Sequence, residues 1–324
     1  MKRGIFVCIF GAMLLASGTS QGQQAAYPTK QVRIVVPYPP GGPTDLIARL
    51  LSQKLGERLG QTFYVENVGG ASGAVGAGQV AQAAPDGHTL LVVTNDFAVA
   101  SVTNSKLPYD PVKNFSPVTI IATSPQVVAV NPSVPAKNMK ELVDLIKAAP
   151  EKYNYAGLGI GFGQLSAERL FKLGLKLDGL VKVPFNGAAP AVSSTLAGHT
   201  QVLYLGLPPV APHLSSDKLR ALAVASPKRI AAAPTLPTLD ESGLPGFDVT
   251  SWYSIVVPAG TPPAVIERLQ QEIARALDNP DVRAKLAGLG AEPIANSPAE
   301  FAAMIKSETA KWSKIVKDAN IKPE

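Results

Sequence analysis

The stretch "IVVPYPPGGPTDLIARLLSQKL", from Ile34 to Leu55, decides the fold of this chain. An apolar run typical of a strand ends at a turn rich in proline and glycine, and a leucine-spaced helical pattern follows at once. In parallel α/β sheets, ligands bind beyond the carboxyl ends of the strands, where such turns lie. The stretch therefore predicts both an α/β fold and a place where a ligand can bind.

The turn itself is suited to an anion. Pro43 fits the first helical position, which makes Gly42 the expected N-cap. Gly41 and Gly42 allow the backbone to come close to a ligand, and the N–H groups of the first helical turn are free to donate. Asp45 is expected to accept the Gly42 N–H, as in a capping box. This leaves open the alternative that the turn is only a well-capped helix start.

The rest of the chain alternates short apolar strands with helices of about ten residues. This alternation predicts βαβ units and mainly parallel sheets. The extended, proline-flanked runs 119–130 and 247–257 are interpreted as a pair of crossings between two lobes. We therefore predict an α/β protein with a first lobe of residues 27–124 plus 249–324 and a second lobe of residues 125–248.

The N-terminus has the pattern of a secretory signal peptide. Lys2 and Arg3 precede an apolar run over residues 4–16, and a small, polar tail follows. We predict a signal peptide over residues 1–26, cleaved between residues 18 and 26; a buried N-terminal strand or helix is the alternative. Cys8, the only cysteine, lies in this segment, so the mature chain would have no disulfide, catalytic thiol or cysteine metal site.

Composition and motifs exclude several functions. Hydrophobic residues make up 46% of the chain and charged residues 17%, as in a globular protein. The net charge of +6 is scattered without a Lys/Arg run, so nucleic acid is not an expected partner. His88, His199 and His213 lack metal-ligand spacing, and no G-x-S-x-G motif or cysteine nucleophile supports a hydrolase. We expect no cofactor, no metal and no enzymatic activity.

A second glycine-rich turn occurs in "YNYAGLGIGFGQLSAERLF", residues 153–171. Alternating glycines can expose several backbone N–H groups in a concave anion site. The spacing fits neither the dinucleotide-binding G-x-G-x-x-G motif nor a phosphate-binding P-loop. Each predicted lobe thus has one helix that starts directly after a glycine-rich turn. This suggests that the two lobes close on one acidic ligand, which both helix starts contact.

The mature chain, from Tyr27 to Glu324, resembles the periplasmic solute-binding proteins of tripartite tricarboxylate transporters, the Bug or TctC family. The opening stretch, "VENVGGASGAVGAGQVAQAAPDGHTLL", "VPFNGAAPA" and "GFDVTSWYSIVVPAGTP" together carry the resemblance. It implies a two-lobed periplasmic-binding-protein fold of type II that closes on its solute. It also implies delivery of that solute to a membrane permease made of a large and a small subunit. We expect a monomer in the periplasm.

The resemblance also implies which residues grip a carboxylate, through backbone N–H groups and ordered water. The first grip is formed by Pro40, Gly41, Gly42, Thr44 and Asp45, and the second by the loop 157–164. The chain departs from the family in the second loop, after "TQVLY" and in "NDFAVA", where polar or small residues give way to Phe97, Phe162 and Leu205. A more apolar cleft favours an acid with an aromatic or long aliphatic body, since each buried apolar side chain is worth roughly 1.5–3 kcal/mol.

Three further residues have two interpretations each. Asp96 either contacts the ligand, as a base or as the partner of an amine, or caps a local turn beside Asn95. Trp252 and Tyr253 either pack in the core or line the cleft. The predicted ligand-binding residues are Tyr38, Pro40, Gly41, Gly42, Thr44, Asp45, Asn95, Asp96, Phe97, Gly159, Ile160, Gly161, Phe162, Gly163, Gln164, Asn186, Gly187, Tyr204, Leu205 and Trp252.

The sequence thus predicts a protein that binds a small organic acid, either a monocarboxylate or a dicarboxylate, for a transporter. A periplasmic protein that senses a ligand for a two-component signalling system is the alternative, because one fold serves both roles.

Overall fold

The structure is a computed structural model that describes residues 27–158, 161–185, 187–231, 233–319 and 321. The predicted signal peptide lies outside the described residues. The strands are β1 (Val32–Val36), β2 (Phe63–Asn67), β3 (Thr89–Val93), β4 (Phe115–Val130), β5 (Asn154–Leu158), β6 (Val181–Phe185), β7 (Val202–Gly206), β8 (Arg220–Val224), β9 (Thr250–Pro258) and β10 (Glu292–Pro293). The helices are α1 (Pro43–Leu59), α2 (Ala74–Ala81), α3 (Asn95–Thr103), α4 (Met139–Ala148), α5 (Phe162–Ala167), α6 (Ala188–Leu196), α7 (Ala211–Leu214), α8 (Pro263–Leu277), α9 (Pro280–Gly288) and α10 (Pro298–Asp318). A π-helix, Glu168–Gly174, continues α5, and Ala71–Gly73 and Pro150–Lys152 are short 3₁₀ turns.

The strands form one mixed sheet in the order β2-β1-β3-β9-β4-β7-β5-β6, and β8 and β10 also pair with β4. Strand β1 is parallel to β2 and β3, and β5 is parallel to β6 and β7. The pairings that involve β4 and β9 are antiparallel. The predicted α/β class is confirmed, with parallel strands in the outer parts of the sheet and antiparallel strands where the chain crosses its centre.

The central strand β4 differs from the sequence-based expectation. The sequence predicts two apolar strands, "PVTIIATS" and "QVVAVNP", whereas the structure has one strand of 16 residues through Pro125. Its first part pairs with β9 and its second part with β7 and β8, so it belongs to both halves of the sheet. The proposed lobe boundaries, near residues 124 and 249, stay a prediction.

Helix α1 is held on the sheet by the face that its leucine spacing predicts. Ile47, Leu51 and Leu55 are buried and belong to the same apolar cluster as β1 residues Val32 and Ile34. Burial of each of these side chains stabilises the fold by roughly 1.5–3 kcal/mol. The start of α1 is therefore fixed above the carboxyl end of β1.

Helix α10 begins with a full capping box, in which Ser297 and Glu300 each bond the other's backbone. Phe301 of this helix packs with Trp252 of β9, at a ring distance of 5.7 Å. Trp312, about three turns later, packs with Phe162 at 5.3 Å. One helix thus contacts elements on both sides of the central strands.

Over the described residues, no helix is both long and apolar enough to cross a bilayer. Within the same residues, His, Cys, Asp and Glu side chains form no group of three or more able to hold a metal ion.

Candidate functional site

A cleft of about 200 Å³ lies where several strands end. Its walls come from the segments after β1, β3, β5 and β7 and from the crossing strands β4 and β9. This is the place where open α/β sheets bind ligands. The described lining residues are Tyr38, Pro43, Thr44, Thr94, Asn95, Asp96, Gln126, Leu158, Phe162, Gly163, Ala188, Leu205, Gly206, Pro208, Pro209, Ser251 and Tyr253.

A larger depression, of about 410 Å³, lies between the π-helix and α10 and includes Arg169, Phe247 and Lys311 in its wall. Its lining residues include none of those that directly follow β1, β3, β5 or β7, and none from the glycine-rich turns 39–45 and 157–164. The smaller cleft is therefore the candidate functional site.

The first turn has the cap that the sequence predicts. Gly42 is the N-cap of α1 and Pro43 occupies its first position. The first intrahelical hydrogen bond joins the Leu46 N–H to the Gly42 carbonyl at 3.0 Å. The N–H groups of Thr44 and Asp45 precede that bond, so the helix itself does not use them. Thr44 also lines the cleft and Asp45 directly follows it in the chain, so both donors belong to the part of α1 that borders the cleft.

Asp45 differs from the prediction in its partner. Its carboxylate accepts the N–H of Gly41 at 2.9 Å, rather than that of Gly42. Gly41 has φ +84, a left-handed conformation that turns the chain back so that this earlier amide reaches the carboxylate. Arg49 Nε and Asn67 Nδ2 donate to the same carboxylate, each at 2.9 Å. The Asp45 carboxylate is therefore bonded to neighbouring groups of the same turn. It accepts no hydrogen bond from the N–H groups of Thr44 and Asp45 at the start of the helix.

The electrostatics of Asp45 agree with this geometry. Burial raises the pKa of its carboxyl, but hydrogen bonds from Arg49, Gly41 and Asn67 outweigh burial and bring the pKa below its usual value. Asp45 is 2% exposed and is ionised at neutral pH. Its role is to hold the turn in shape.

The second turn donates a hydrogen bond to a carboxylate of the protein itself, that of Asp96. Gly161 is the N-cap of α5 with φ +132, and the N–H of Phe162 donates to Asp96 Oδ1 at 2.8 Å. A Cβ at position 161 would lie 2.5 Å from the same oxygen, so only glycine fits there. Asp96 lies in the first turn of α3, directly after β3. The sequence-based interpretation of Asp96 as the cap of a local turn is wrong, because the helix that it caps begins 66 residues later.

Tyr38 completes the surroundings of Asp96. Its hydroxyl lies 2.8 Å from Thr94 Oγ1 and donates to Asp96 Oδ2 at 3.4 Å. Burial raises the pKa of the Asp96 carboxyl above its usual value, and the hydrogen bonds from Phe162 and Tyr38 offset only part of this effect. Burial and the nearby Asp96 raise the pKa of Tyr38 as well. Tyr38 therefore remains a neutral donor to the Asp96 carboxylate.

Asn95, beside Asp96, fastens α3 to the crossing strand β9. Its amide nitrogen donates to the Thr250 carbonyl at 3.1 Å, and its oxygen accepts the Trp252 N–H at 3.0 Å. On the floor of the cleft, Gln126 Nε2 donates to Ser251 Oγ at 2.7 Å, across the pair β4 and β9. Gln126 and Ser251 are not among the predicted ligand-binding residues. The signal for Gln126 is a polar residue at the start of the otherwise apolar run "QVVAV".

The structure brings part of the predicted set together. Tyr38, Thr44, Asn95, Asp96, Phe162, Gly163 and Leu205 line the cleft. Pro40, Gly41, Gly42, Asp45, Gly161, Gln164 and Gly187 lie in the turns and helix starts near it without forming its wall. Gly159, Ile160 and Asn186 lie outside the described residues.

Three aromatic residues of the predicted set lie in the core instead. Phe97 stacks on Tyr109 at 5.4 Å, so it does not make the cleft more apolar. Tyr204 packs on Phe171 at 5.8 Å. Trp252 is 3% exposed and packs on α10, whereas its neighbour Tyr253 lines the cleft. The side chains of consecutive strand residues point to opposite faces of the sheet, which explains the different roles of 252 and 253.

Comparison with solved structures confirms the two-lobed fold. The periplasmic binding protein BugD is 33% identical, with a TM-score of 0.82 over 92% of this chain and 100% of that chain. A protein of R. palustris solved with adipate is 34% identical, with a TM-score of 0.84 over 92% of this chain and 100% of that chain. MatC of Rhodopseudomonas palustris, solved with bound malate, is 35% identical, with a TM-score of 0.78 over 90% of this chain and 100% of that chain.

The sequence also matches the family TctC, described as the tripartite tricarboxylate transporter family receptor, over residues 47–321. That range begins inside α1, after the first helical turn, and includes the whole second turn and both crossing strands. The glycine-rich turns, the cleft at the strand ends and these likenesses lead to one assignment: the chain belongs to the TctC family, whose members are periplasmic solute-binding proteins and not enzymes.

Proposed function

We propose that this protein captures a small organic acid in the periplasm and presents it to a membrane permease of the tripartite tricarboxylate type. The single observation that carries the proposal is the start of α1 at the cleft wall, where the helix leaves the N–H groups of Thr44 and Asp45 unused. Such donors, at the positive end of a 17-residue helix, favour a carboxylate. Two relatives of similar fold were solved with adipate and with malate, which are both carboxylates.

The remaining wall favours an apolar body on that acid. Leu158, Phe162, Leu205, Pro208 and Pro209 all face the cleft. A volume of about 200 Å³ is below the range of about 300–1,000 Å³ that drug-sized ligands need, so the solute is small. The acid would place its carboxylate at α1 and its carbon chain against these side chains.

A thermal-shift panel tests this function. Hexanoate, benzoate, adipate and malate are compared with hexanamide, which has the shape of hexanoate without the charge, and with glucose. An acid present at one hundred times its Kd stabilises the protein by about 2.7 kcal/mol. We expect at least one acid to raise the melting temperature and hexanamide to leave it unchanged. A shift with glucose or hexanamide and with none of the acids contradicts the proposal.

A glycine variant tests the location of the carboxylate. Gly42 has φ −78, and the nearest atom to an added Cβ, Pro39 O, lies 3.9 Å away, so Gly42→Ala folds without strain. The methyl group hinders close approach of a ligand, and we expect the affinity for the acid to fall about 10-fold or more, as for the loss of a hydrogen bond to a charged group. Gly288→Ala is the matched control, because its added methyl meets no atom within 4 Å and Gly288 is not among the residues that line the cleft. Equal affinities in both variants would mean that the turn only caps the helix.

A further inference from the structure

We propose that Asp96 makes this protein selective for acids with a single carboxylate, because it supplies a carboxylate of its own to the second turn of the cleft. The inference rests on the proposed function and narrows the ligand from organic acids in general to monocarboxylates.

The first step is that the second turn already holds a carboxylate. The N–H of Phe162, at the start of α5, is bonded to Asp96 Oδ1 at 2.8 Å, and Gly161 leaves just enough room for that oxygen. Asp96 reaches this amide across the cleft from α3. A ligand that brought a second carboxylate to the Phe162 N–H would have to displace the carboxylate of Asp96.

The second step concerns the charges at the cleft. Among the described lining residues there is no lysine, arginine or histidine, and Asp96 is the one acidic side chain. Arg49 lies close to the first turn, but it is paired with Asp45 and also bonds Asn67 Oδ1 at 3.0 Å. Both oxygens of Asp96 accept hydrogen bonds, Oδ1 from the Phe162 N–H and Oδ2 from the Tyr38 hydroxyl, as an ionised carboxylate does. A second ligand carboxylate would therefore meet this negative charge without a cation of the described cleft wall to balance it.

The third step is the size of the effect. A cleft of about 200 Å³ is roughly 6 Å across, so a carboxylate at the far end of a ligand lies on the order of that distance from Asp96. At that distance and an effective dielectric constant near 20, two negative charges repel by an amount equal to roughly a 100-fold loss in affinity. A methyl group at the same place contacts Leu158, Phe162 and Leu205 instead, and gains from their apolar surface.

Hexanoate and adipate form the test pair, because they have the same six-carbon chain and differ only in the second carboxylate. Their Kd values are measured by isothermal titration calorimetry with the mature protein and with Asp96→Asn. Asparagine keeps an oxygen that can accept the Phe162 N–H but removes the charge. We expect the native protein to prefer hexanoate about 100-fold and Asp96→Asn to reduce that preference to less than about 10-fold.

The control variant is Asp144→Asn, which removes one charge from an exposed position of α4. It is expected to keep the preference of the native protein, which separates the local effect of Asp96 from a change in net charge. The native measurement alone already tests selectivity, so the inference stays testable if Asp96→Asn folds poorly.

The outcomes separate this inference from the function on which it rests. If the native protein binds adipate as well as hexanoate, or better, acid binding stands and the selectivity assigned to Asp96 is overturned. The selectivity assigned to Asp96 is also overturned, and acid binding stands, if Asp96→Asn leaves the preference for hexanoate over adipate unchanged. If neither these two acids nor benzoate nor malate binds, the proposed function fails, and the selectivity fails with it.

Discussion

Two carboxylates near the cleft, Asp45 and Asp96, differ in what surrounds them. Asp45 is compensated by Arg49, Asn67 and the Gly41 N–H, and its pKa lies below the usual value. Asp96 has two neutral donors, and burial raises its pKa. Asp96 is half-buried in the cleft wall, and a charge that is partly removed from water without an ionic partner reduces the stability of the folded protein. The protein retains such a group at its candidate binding site, which is where unfavourable residues are expected to have a function.

The pH dependence of stability tests this account of Asp96. Because its folded pKa is raised above the unfolded value of about 3.9, its contribution is most favourable below that value and is lost as pH rises through the folded pKa. The titratable groups that face it, Tyr38 and Tyr109, have raised pKa values and stay neutral between pH 4 and pH 8. We expect Asp96→Asn to melt at a higher temperature than the native protein at pH 7. The gain should shrink as the pH approaches 4.

Melting curves of both proteins between pH 4 and pH 8 measure this difference, with Asp144→Asn as the control for loss of a charge. A variant that is less stable at every pH, or a gain that is constant with pH, would show that the charge of Asp96 does not destabilise the folded protein.

At the scale of single elements, the sequence predicts what short-range rules determine. Pro43, Gly42 and the leucine spacing predict the start and the buried face of α1, because a helix start depends on residues close in the chain. The segment "NDFAVA" forms the start of helix α3, which begins at Asn95 and which the sequence does not predict. Its first residue is fixed by hydrogen bonds to β9, more than 150 residues away, and no local pattern reveals such contacts.

The long strand β4 escapes prediction for the same kind of reason. Pro125 lacks an N–H and is expected to end a strand, but β9 pairs alongside it and the strand continues to Val130. The bond from Asp96 to Phe162 likewise joins turns that are remote in sequence. Local chemistry thus predicts both turns of the candidate site but not which of its groups bond each other.

Helix α10 packs against the second turn through the residue Trp312. It is fully buried, packs against Phe162 of the cleft wall, and donates its Nε1–H to Glu308 at 2.8 Å. Trp312→Ala removes this packing and leaves a cavity, so we expect the free energy of unfolding to fall by about 3–5 kcal/mol.

Urea unfolding measures this loss, and Lys317→Ala on the exposed side of the same helix is the control, with an expected change within about 0.5 kcal/mol. A loss below about 1 kcal/mol for Trp312→Ala would mean that α10 does not hold the second turn in place.

At the scale of the whole molecule, the fold class and the family follow from the sequence because many segments over the full chain agree. The alternation of strands and helices predicts α/β, and the match over residues 47–321 and the likeness to BugD confirm the family and the two-lobed fold. The mixed sheet follows from the two crossing strands, which are antiparallel to each other. We propose that the lobes close by a hinge motion at these strands, which the ligand stabilises through contacts in the closed state.

The central claim is that backbone N–H groups at the start of α1 hold the carboxylate of the solute. A crystal structure of the protein with hexanoate, or with the acid that gives the largest thermal shift, measures this directly. The account predicts at least one carboxylate oxygen at 2.7–3.2 Å from the amide nitrogen of Thr44 or Asp45, directly or through one ordered water. A carboxylate bound in the depression of Arg169 and Lys311, with the α1 amides facing only solvent, would contradict it.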